Sequence, residues 1–497
     1  MAANRSESNH PAPPPAAWQL GVVALVCAGV AAAVRIPLLW DDPWASGYDG
    51  WYYVLQTRSW MDGRPLFADR SLVFTVLRGL AGLTGDVVVG NKVAACLFAG
   101  LGAGGMAFGS ARFTGSWAAG LAAGMWWACA PGHLTVSFEF LKNEGGLAIL
   151  GILWALLSEA RSSPTAALSA LMCTGLGLAV HKLTGVFGLV LTLGTAGTVA
   201  WERWLVRDAV ARRRAVRGLL AAAAVLGLVA VSVGVLRLED FARFLSPGTS
   251  EGTRSSILLS SPRIHPIHRV TLAIAHLLPL ILAVTLWRWS RLVSGLAWIL
   301  LAIFTTAPLL PFGFDLTAWR LLLLAFVPSA FALAIGVAHT RPWTGPALGV
   351  LFLGSIPWTL PHAAGPEPDY AAWAETIPTL QAHVAEHERV VAHRGVCGFV
   401  WAQADRVCEN FDPQGSAEGW WRIVYGMGEA RLAPYSDVEP VRLMLGYTLV
   451  PEAAWRRFRT EHIDTLPLVQ HPRNPYRARP GFVYGPQRDS PKVGEGP

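Results

Sequence analysis

The sequence predicts a polytopic α-helical membrane protein that ends in a small α/β domain outside the bilayer. Of its 497 residues, 53% are hydrophobic and only 15% charged, against about 25% charged in an ordinary soluble protein. The apolar residues gather in long blocks, and the mean hydropathy is +0.39. Beyond residue 362 the composition turns polar and the apolar runs shorten to strand length. No single soluble core could absorb that much apolar surface. The same figures exclude a disordered chain, a collagen-like repeat and a disulfide scaffold. The net charge of +7 is arginine at segment ends, and lysine occurs only at Lys92, Lys142, Lys182 and Lys492. Nucleic acid is not the partner this distribution suits.

A helical span needs about 20 predominantly apolar residues to cross about 30 Å of hydrocarbon. In chain order that ruler marks 17–40, 86–110, 114–133, 144–160, 164–181, 183–203, 217–236, 268–288, 292–311, 317–338 and 343–361, about eleven spans. Residues 1–16 are polar and Pro-rich and read as a disordered cytoplasmic tail. The first block is too long for a signal-peptide core and is kept as a span of the membrane domain, 17–362. The stretch from Ser71 to Leu83 is too short to cross and reads as an interfacial helix.

Orientation follows arginine placement in short loops. With the N-terminus inside, the inner loops hold Arg112, Arg161, Arg207, Arg212, Arg213, Arg214, Arg217, Arg288, Arg291 and Arg341. The loop 237–269 breaks the trend with five arginines outside. An odd span count leaves outer loops at 41–85, 134–144 and 237–267 and places everything after 362 outside. Region 363–480 reads as an α/β domain, with strand-like runs at Arg389–Ala392, Gly398–Trp401 and Tyr447–Val450. Glu452–Arg459 has helical spacing, and 481–497 is a Pro- and Gly-rich flexible tail. Four of the six cysteines, Cys27, Cys96, Cys129 and Cys173, lie in spans as small hydrophobes. Cys397 and Cys408 share the outer domain, where either a disulfide or two buried thiols fits the sequence.

The candidate chemistry gathers in the outer loops. Between Trp40 and Tyr53 the chain carries three carboxylates, Asp41, Asp42 and Asp49, and six aromatic residues. An interfacial aromatic belt explains the rings but not the acids. A carboxylate there can act as a general base or a hard-metal ligand, and the rings could stack on sugar faces. The next outer loop reads Phe138-Glu139-Phe140-Leu141-Lys142-Asn143-Glu144-Gly145-Gly146, where Glu144 also suits a helix start. Further on come Ser246-Pro247-Gly248-Thr249-Ser250-Glu251-Gly252 within a cationic loop, and Phe314-Asp315-Leu316-Thr317-Ala318-Trp319-Arg320 opening a span. His181-Lys182 sits in a very short outer loop.

Tyr48-Asp49-Gly50-Trp51-Tyr52-Tyr53, with Asp62-Gly63-Arg64-Pro65 downstream, resembles the first outer loop of the GT-C glycosyltransferases. The likeness is closest to the catalytic subunit of oligosaccharyltransferases and related enzymes that use polyprenyl-phosphate sugars. It implies a GT-C-like membrane domain and, at Asp49, the acid that binds a divalent metal or acts as base, with Asp42 as its competitor and Tyr52 at the substrate. Glu144 matches the second acid of the family's second loop, while Lys142 stands where the first acid should be. The Ser250-Glu251 stretch resembles the family's flexible loop. Arg320 falls where the family contacts the donor phosphate, and Lys182 is a further phosphate contact. Trp420-Trp421-Arg422 is a distorted echo of the acceptor motif and reads better as a packed strand.

The resemblance implies an inverting transferase that moves a sugar from a polyprenyl-(di)phosphate donor to a glycan, lipid or protein acceptor, outside a bacterial plasma membrane. The leaving phosphate would be met either by fixed cations, Lys142, Lys182 or Arg320, or by a Mn or Mg ion on Asp49 and Glu144 with Glu251. A transporter or lipid flippase would instead carry its polar residues at mid-membrane with repeated halves, and no such repeat is visible. A catalytically silent scaffold of the same fold is the third alternative, prompted by the substituted acid.

Overall fold

The computed structural model describes residues 15–47, 49–63, 66, 69, 71–160, 163–205, 302, 321–363, 369–409, 413, 415–444, 446–462, 469–470 and 477–478. The spans read at 217–236, 268–288 and 292–311, the loop 237–267, Glu251 and Arg320 all lie outside the described residues. Among those described, five helices are long and apolar enough to cross a bilayer: Ala17–Leu39, Val87–Thr114, Leu141–Ala160, Lys182–Val199 and Leu321–Ala338.

The bundle is built from α1 (Ala17–Leu39), α4 (Val87–Thr114), α5 (Trp117–Cys129), α7 (Leu141–Ala160), α8 (Pro164–Val180), α9 (Lys182–Leu205), α10 (Phe326–Ala338) and α11 (Thr344–Ala363). The short α2 (Gly50–Met61) and α3 (Val73–Thr84) link α1 to α4. In lipid no hydrophobic force separates helix from solvent, so close backbone contact between small residues drives packing. Helices α4 and α7 meet in that way: a Cβ on Gly151 would lie 2.3 Å from the Gly102 carbonyl oxygen. Helix α3 buries Val73, Phe74, Leu77 and Ala81 along one side, as its helical spacing requires.

The sequence reading of 114–133 as one span and 134–144 as a loop needs correction. Pro131 cannot continue α5, because it lacks an N–H and forces the residue before it to extend. Ala130 accordingly sits at φ −59°, ψ 130°, and a new nine-residue helix, α6 (Pro131–Glu139), starts there. All nine residues of α6 are buried. A second break at Phe140 (φ −133°, ψ 68°) precedes α7, so Lys142 and Glu144 stand on the first turn of a helix and not in a loop.

The polar region after α11 opens with α12 (Tyr370–His383) and forms a five-stranded mixed sheet in the order β2-β1-β3-β5-β4. Strand β1 (Arg389–Val391) runs parallel to β2 (Cys408–Glu409) and β3 (Trp420–Tyr425). Strand β5 (Tyr447–Pro451) is antiparallel to both β3 and β4 (Val441–Met444). The run Gly398–Trp401, expected as a strand, belongs instead to helix α13 (Arg394–Ala404). His393 caps it by accepting the Gly395 N–H at 3.2 Å, and Val396, Val400 and Ala404 recur every four residues on its buried face. Cys397 on α13 and Cys408 on β2 form a disulfide with Cα atoms 5.2 Å apart.

Helix α14 (Glu452–His462) covers β3 through a buried ion pair. Arg422 Nε donates to Glu452 Oε2 at 2.6 Å and Nη2 to Oε1 at 3.2 Å, while Arg456 Nε reaches the same Oε1 at 3.0 Å. The arginine after Trp420-Trp421 is therefore a structural partner of Glu452.

Beneath the α/β domain lies α2. Trp51, 1% exposed, meets the Phe399 ring edge-on at 5.2 Å and the Tyr370 ring at 5.8 Å. Ala45, Trp51 and Val54 belong to the same hydrophobic core as Tyr370, Trp373 and Phe399. Burial of Trp51 by its neighbours corrects the expectation that this ring stacks on a sugar.

Two outcomes test this architecture. Glu452→Ala leaves Arg422 buried without its carboxylate, which costs about 3–5 kcal/mol; pulse proteolysis of the detergent-solubilised chain in urea should show the α/β domain opening at lower denaturant. A Cβ on Gly398 would lie 2.7 Å from Trp51 Cβ. Gly398→Val should therefore separate domain from loop, exposing Trp51 to a fluorescence quencher while the Cys397–Cys408 link persists.

Candidate active site

The loop after α1 delivers Asp49 to the start of α2, where it is 7% exposed. The loop is held from two sides. On one, the Tyr370 hydroxyl donates to the Gly47 carbonyl at 3.3 Å and to the Gly395 carbonyl at 3.0 Å. On the other, Gly47 (φ +71°) lies so close to the end of α6 that a Cβ there would sit 2.8 Å from Glu139 Oε2. Glu139, 8% exposed, is thus a second acid packed against the Asp49 loop at Gly47, and sequence reasoning passed it over. Its signal was its place ahead of Lys142 in the motif already quoted.

Asp42 does something else. Its carboxylate is 45% exposed, accepts the Trp44 N–H at 2.9 Å and closes the turn, while Lys92 Nζ donates to its carbonyl at 2.6 Å. Between this loop, the first turns of α4 and the end of α6 lies a cleft. Its polar lining includes Ser46, Tyr53, Asn91, Lys92 and Ser137, among aliphatic side chains such as Leu39 and Val88.

A second polar group centres on Asp69, a residue that the sequence reading did not single out. Tyr52 Oη donates to Asp69 Oδ2 at 2.6 Å and Lys142 Nζ to the same oxygen at 2.5 Å. The backbone N–H of Ser71 adds 3.0 Å to Oδ1. Burial opposes the charged form of Asp69, yet the hydrogen bonds from Lys142 and Tyr52 outweigh it and hold the carboxyl below the usual carboxylate range. Burial, followed by the bond to Asp69, pushes the Tyr52 phenol up, so it remains a donor at neutral pH. Ser71 Oγ donates to the Val180 carbonyl at 2.5 Å. That contact ties this group to the junction of α8 and α9, where Lys182 is exposed. Tyr52, Lys142 and Lys182 therefore gather at one end of the bundle.

Glu144 belongs to a different, inner set. It is fully buried, and His133 Nε2 lies 2.8 Å from its Oε1. His133 stacks on Phe326 at 4.8 Å and its Nδ1 meets the Trp127 carbonyl at 2.6 Å. Arg35 on α1, also fully buried, donates from Nε to Ser137 at 3.0 Å and from Nη1 to the carbonyls of Ala31 and Ala128. An arginine inside an apolar span is rare and almost always internally paired, and Arg35 in the first span was the available signal. Among the described residues, no group of three or more His, Cys, Asp or Glu converges to hold a metal ion, and Glu144 is turned to His133. The described residues thus do not fit a metal shared between Asp49 and Glu144.

No family model matches the sequence, and no curated protein matches it. Solved structures do. The chain is similar to ArnT from Cupriavidus metallidurans bound to undecaprenyl phosphate, with a TM-score of 0.55, 13% identity, and 88% of this chain and 98% of that chain covered. The apo state of the same ArnT gives a TM-score of 0.55 at 12% identity, covering 88% and 99%. At such identity the likeness lies in the fold: this chain shares the overall fold of that membrane protein.

Proposed function

We propose that the protein is an inverting GT-C glycosyltransferase, moving a sugar from a polyprenyl-(di)phosphate donor to a glycan, lipid or protein acceptor outside a bacterial plasma membrane. One observation carries the reading: a buried aspartate, Asp49, sits in the loop whose Ala45, Ser46 and Gly50 line a cleft, and Lys142, held by Asp69, stands one residue from Leu141 of the same cleft. The fold supports it, since the similar ArnT structure contains undecaprenyl phosphate. The disulfide Cys397–Cys408 supports an oxidising, extracytoplasmic compartment for the α/β domain.

In this reading the acceptor's hydroxyl or amide attacks the anomeric carbon of the donor sugar. The carbon–oxygen bond to phosphate breaks with inversion, the nucleophile's proton passes to Asp49, and the polyprenyl phosphate leaves with the electron pair. Positioned bases contribute roughly 10²–10⁴-fold. The charge growing on the phosphate is met by fixed ammonium groups. Asp69 takes one of the three Lys142 donors and holds the ammonium in place. Lys182 and Arg320 would add to it, Arg320 on the resemblance alone.

Sugar transfer from an undecaprenyl-phosphate donor by purified protein should fall by roughly 10²–10⁴-fold in Asp49→Asn and by about 10²-fold in Lys142→Met. It should survive a chelator. Full activity in Asp49→Asn would end the assignment of the base, and loss on chelation restored by manganese or magnesium would give the phosphate's charge to a metal. Sidedness has its own test: an engineered cysteine near Gly494 should be labelled from outside intact cells, and one near Arg213 should not.

A further inference from the structure

Asn91 stands on the second turn of α4 and lines the cleft beside the Asp49 loop. Its side chain is 8% exposed, and neither its amide nitrogen nor its amide oxygen has a hydrogen-bond partner in the protein. Burying both halves of an amide unpaired is costly, so such groups are retained where something else completes them. Two neighbouring polar groups are engaged elsewhere. Lys92 Nζ donates to the Asp42 carbonyl, and Ser137 Oγ donates to the His133 carbonyl at 2.9 Å while accepting from Arg35. The rest of the wall is mostly apolar, with Leu39, Ala45, Val88, Ala95, Phe138 and Leu141, and adds the polar ends of Ser46 and Tyr53.

We infer that Asn91 is a sugar-binding residue of the cleft, its amide oxygen accepting from one hydroxyl and its amide nitrogen donating to another. An amide that must both give and receive matches a hydroxyl-bearing ring, because each hydroxyl both donates and accepts. A phosphate, which only accepts, would leave the amide oxygen unpaired. A hydrocarbon chain would leave both halves unpaired. This assignment rests on the glycosyl-transfer reading and adds which atoms hold the ring. The ring could come from the donor or from the acceptor, and the two are separable.

The experiment measures binding to purified wild-type protein, Asn91→Leu and the smaller Asn91→Ala, all in detergent. The probes are bare undecaprenyl phosphate, undecaprenyl phosphate charged with a hexose, and a soluble disaccharide. Bare lipid should bind all three proteins alike. Both variants should lose affinity for a sugar-bearing probe by about tenfold or more, the worth of two neutral hydrogen bonds. Loss confined to the charged lipid assigns the donor ring; loss confined to the disaccharide assigns the acceptor ring. Asn91→Leu should also raise the thermal midpoint of the ligand-free protein, since it removes unpaired polar atoms without leaving a hole. Unchanged sugar affinity, an equal loss for the bare lipid, or a lowered midpoint in Asn91→Leu would each overturn the assignment. Wild-type protein that binds neither lipid nor disaccharide would overturn the functional reading and this site with it, which the variants alone would not.

Discussion

The structure depends on Trp51. Its ring is enclosed by Phe399, Tyr370 and Trp44, so the loop that carries Asp49 is fixed by the α/β domain on one side and by the bundle on the other. A loop at a membrane surface has few apolar contacts of its own and would open readily. Here it gains a hydrophobic anchor two residues after the aspartate, and the Tyr370 hydroxyl fixes the Gly47 carbonyl two residues before it. The α/β domain thereby braces the loop that carries Asp49. In the proposed reaction, that rigidity is what a positioned base needs.

Charge inside the bundle is arranged by the same logic of enclosure. Removing a charged group from water is tolerable only if its partners are fixed and complete. Arg35, His133, Ser137 and Glu144 approach that condition by facing one another from α1, α6 and α7, with Arg35 Nη2 and Glu144 Oε2 left over. The two breaks at Ala130 and Phe140 set the direction from which α6 brings His133 and Ser137 to Glu144 and Arg35. Pro131 fixes the first break.

Two polar sets result, and they differ in solvent access. The inner set is closed and satisfied by its own members, apart from Arg35 Nη2 and Glu144 Oε2. The outer set, with Asp49, Glu139, Asp69, Tyr52 and Lys142, lies in and around the loop after α1, and its Lys142–Asp69 pair is part-exposed. Glu144 and Asp49, paired in the sequence motif, are divided between the two sets. That division favours fixed cations over a shared metal in the proposed mechanism, with Lys142 tethered where the family motif would have an acid.

How much was legible varies with the kind of information. The membrane class, the helix over 73–84, the strands at Arg389 and Tyr447 and the helix from Glu452 follow from hydropathy, period and composition, which act locally and are written in the chain. The motif around Asp49 was legible too, and the fold observed is one shared with ArnT. The partners were not. That Phe399 lies in a helix against Trp51, that Asp69 holds Lys142, that Glu144 turns inward to His133, and that Asn91 faces a cleft unpaired all depend on contacts between residues far apart in sequence. The sequence by itself determined which segments enter the bilayer and which residue types could do chemistry, because transfer free energy is a property of each segment alone. Only the tertiary structure decided which of those residues share a site, because pairing of buried polar groups is a property of the packing that brings them together.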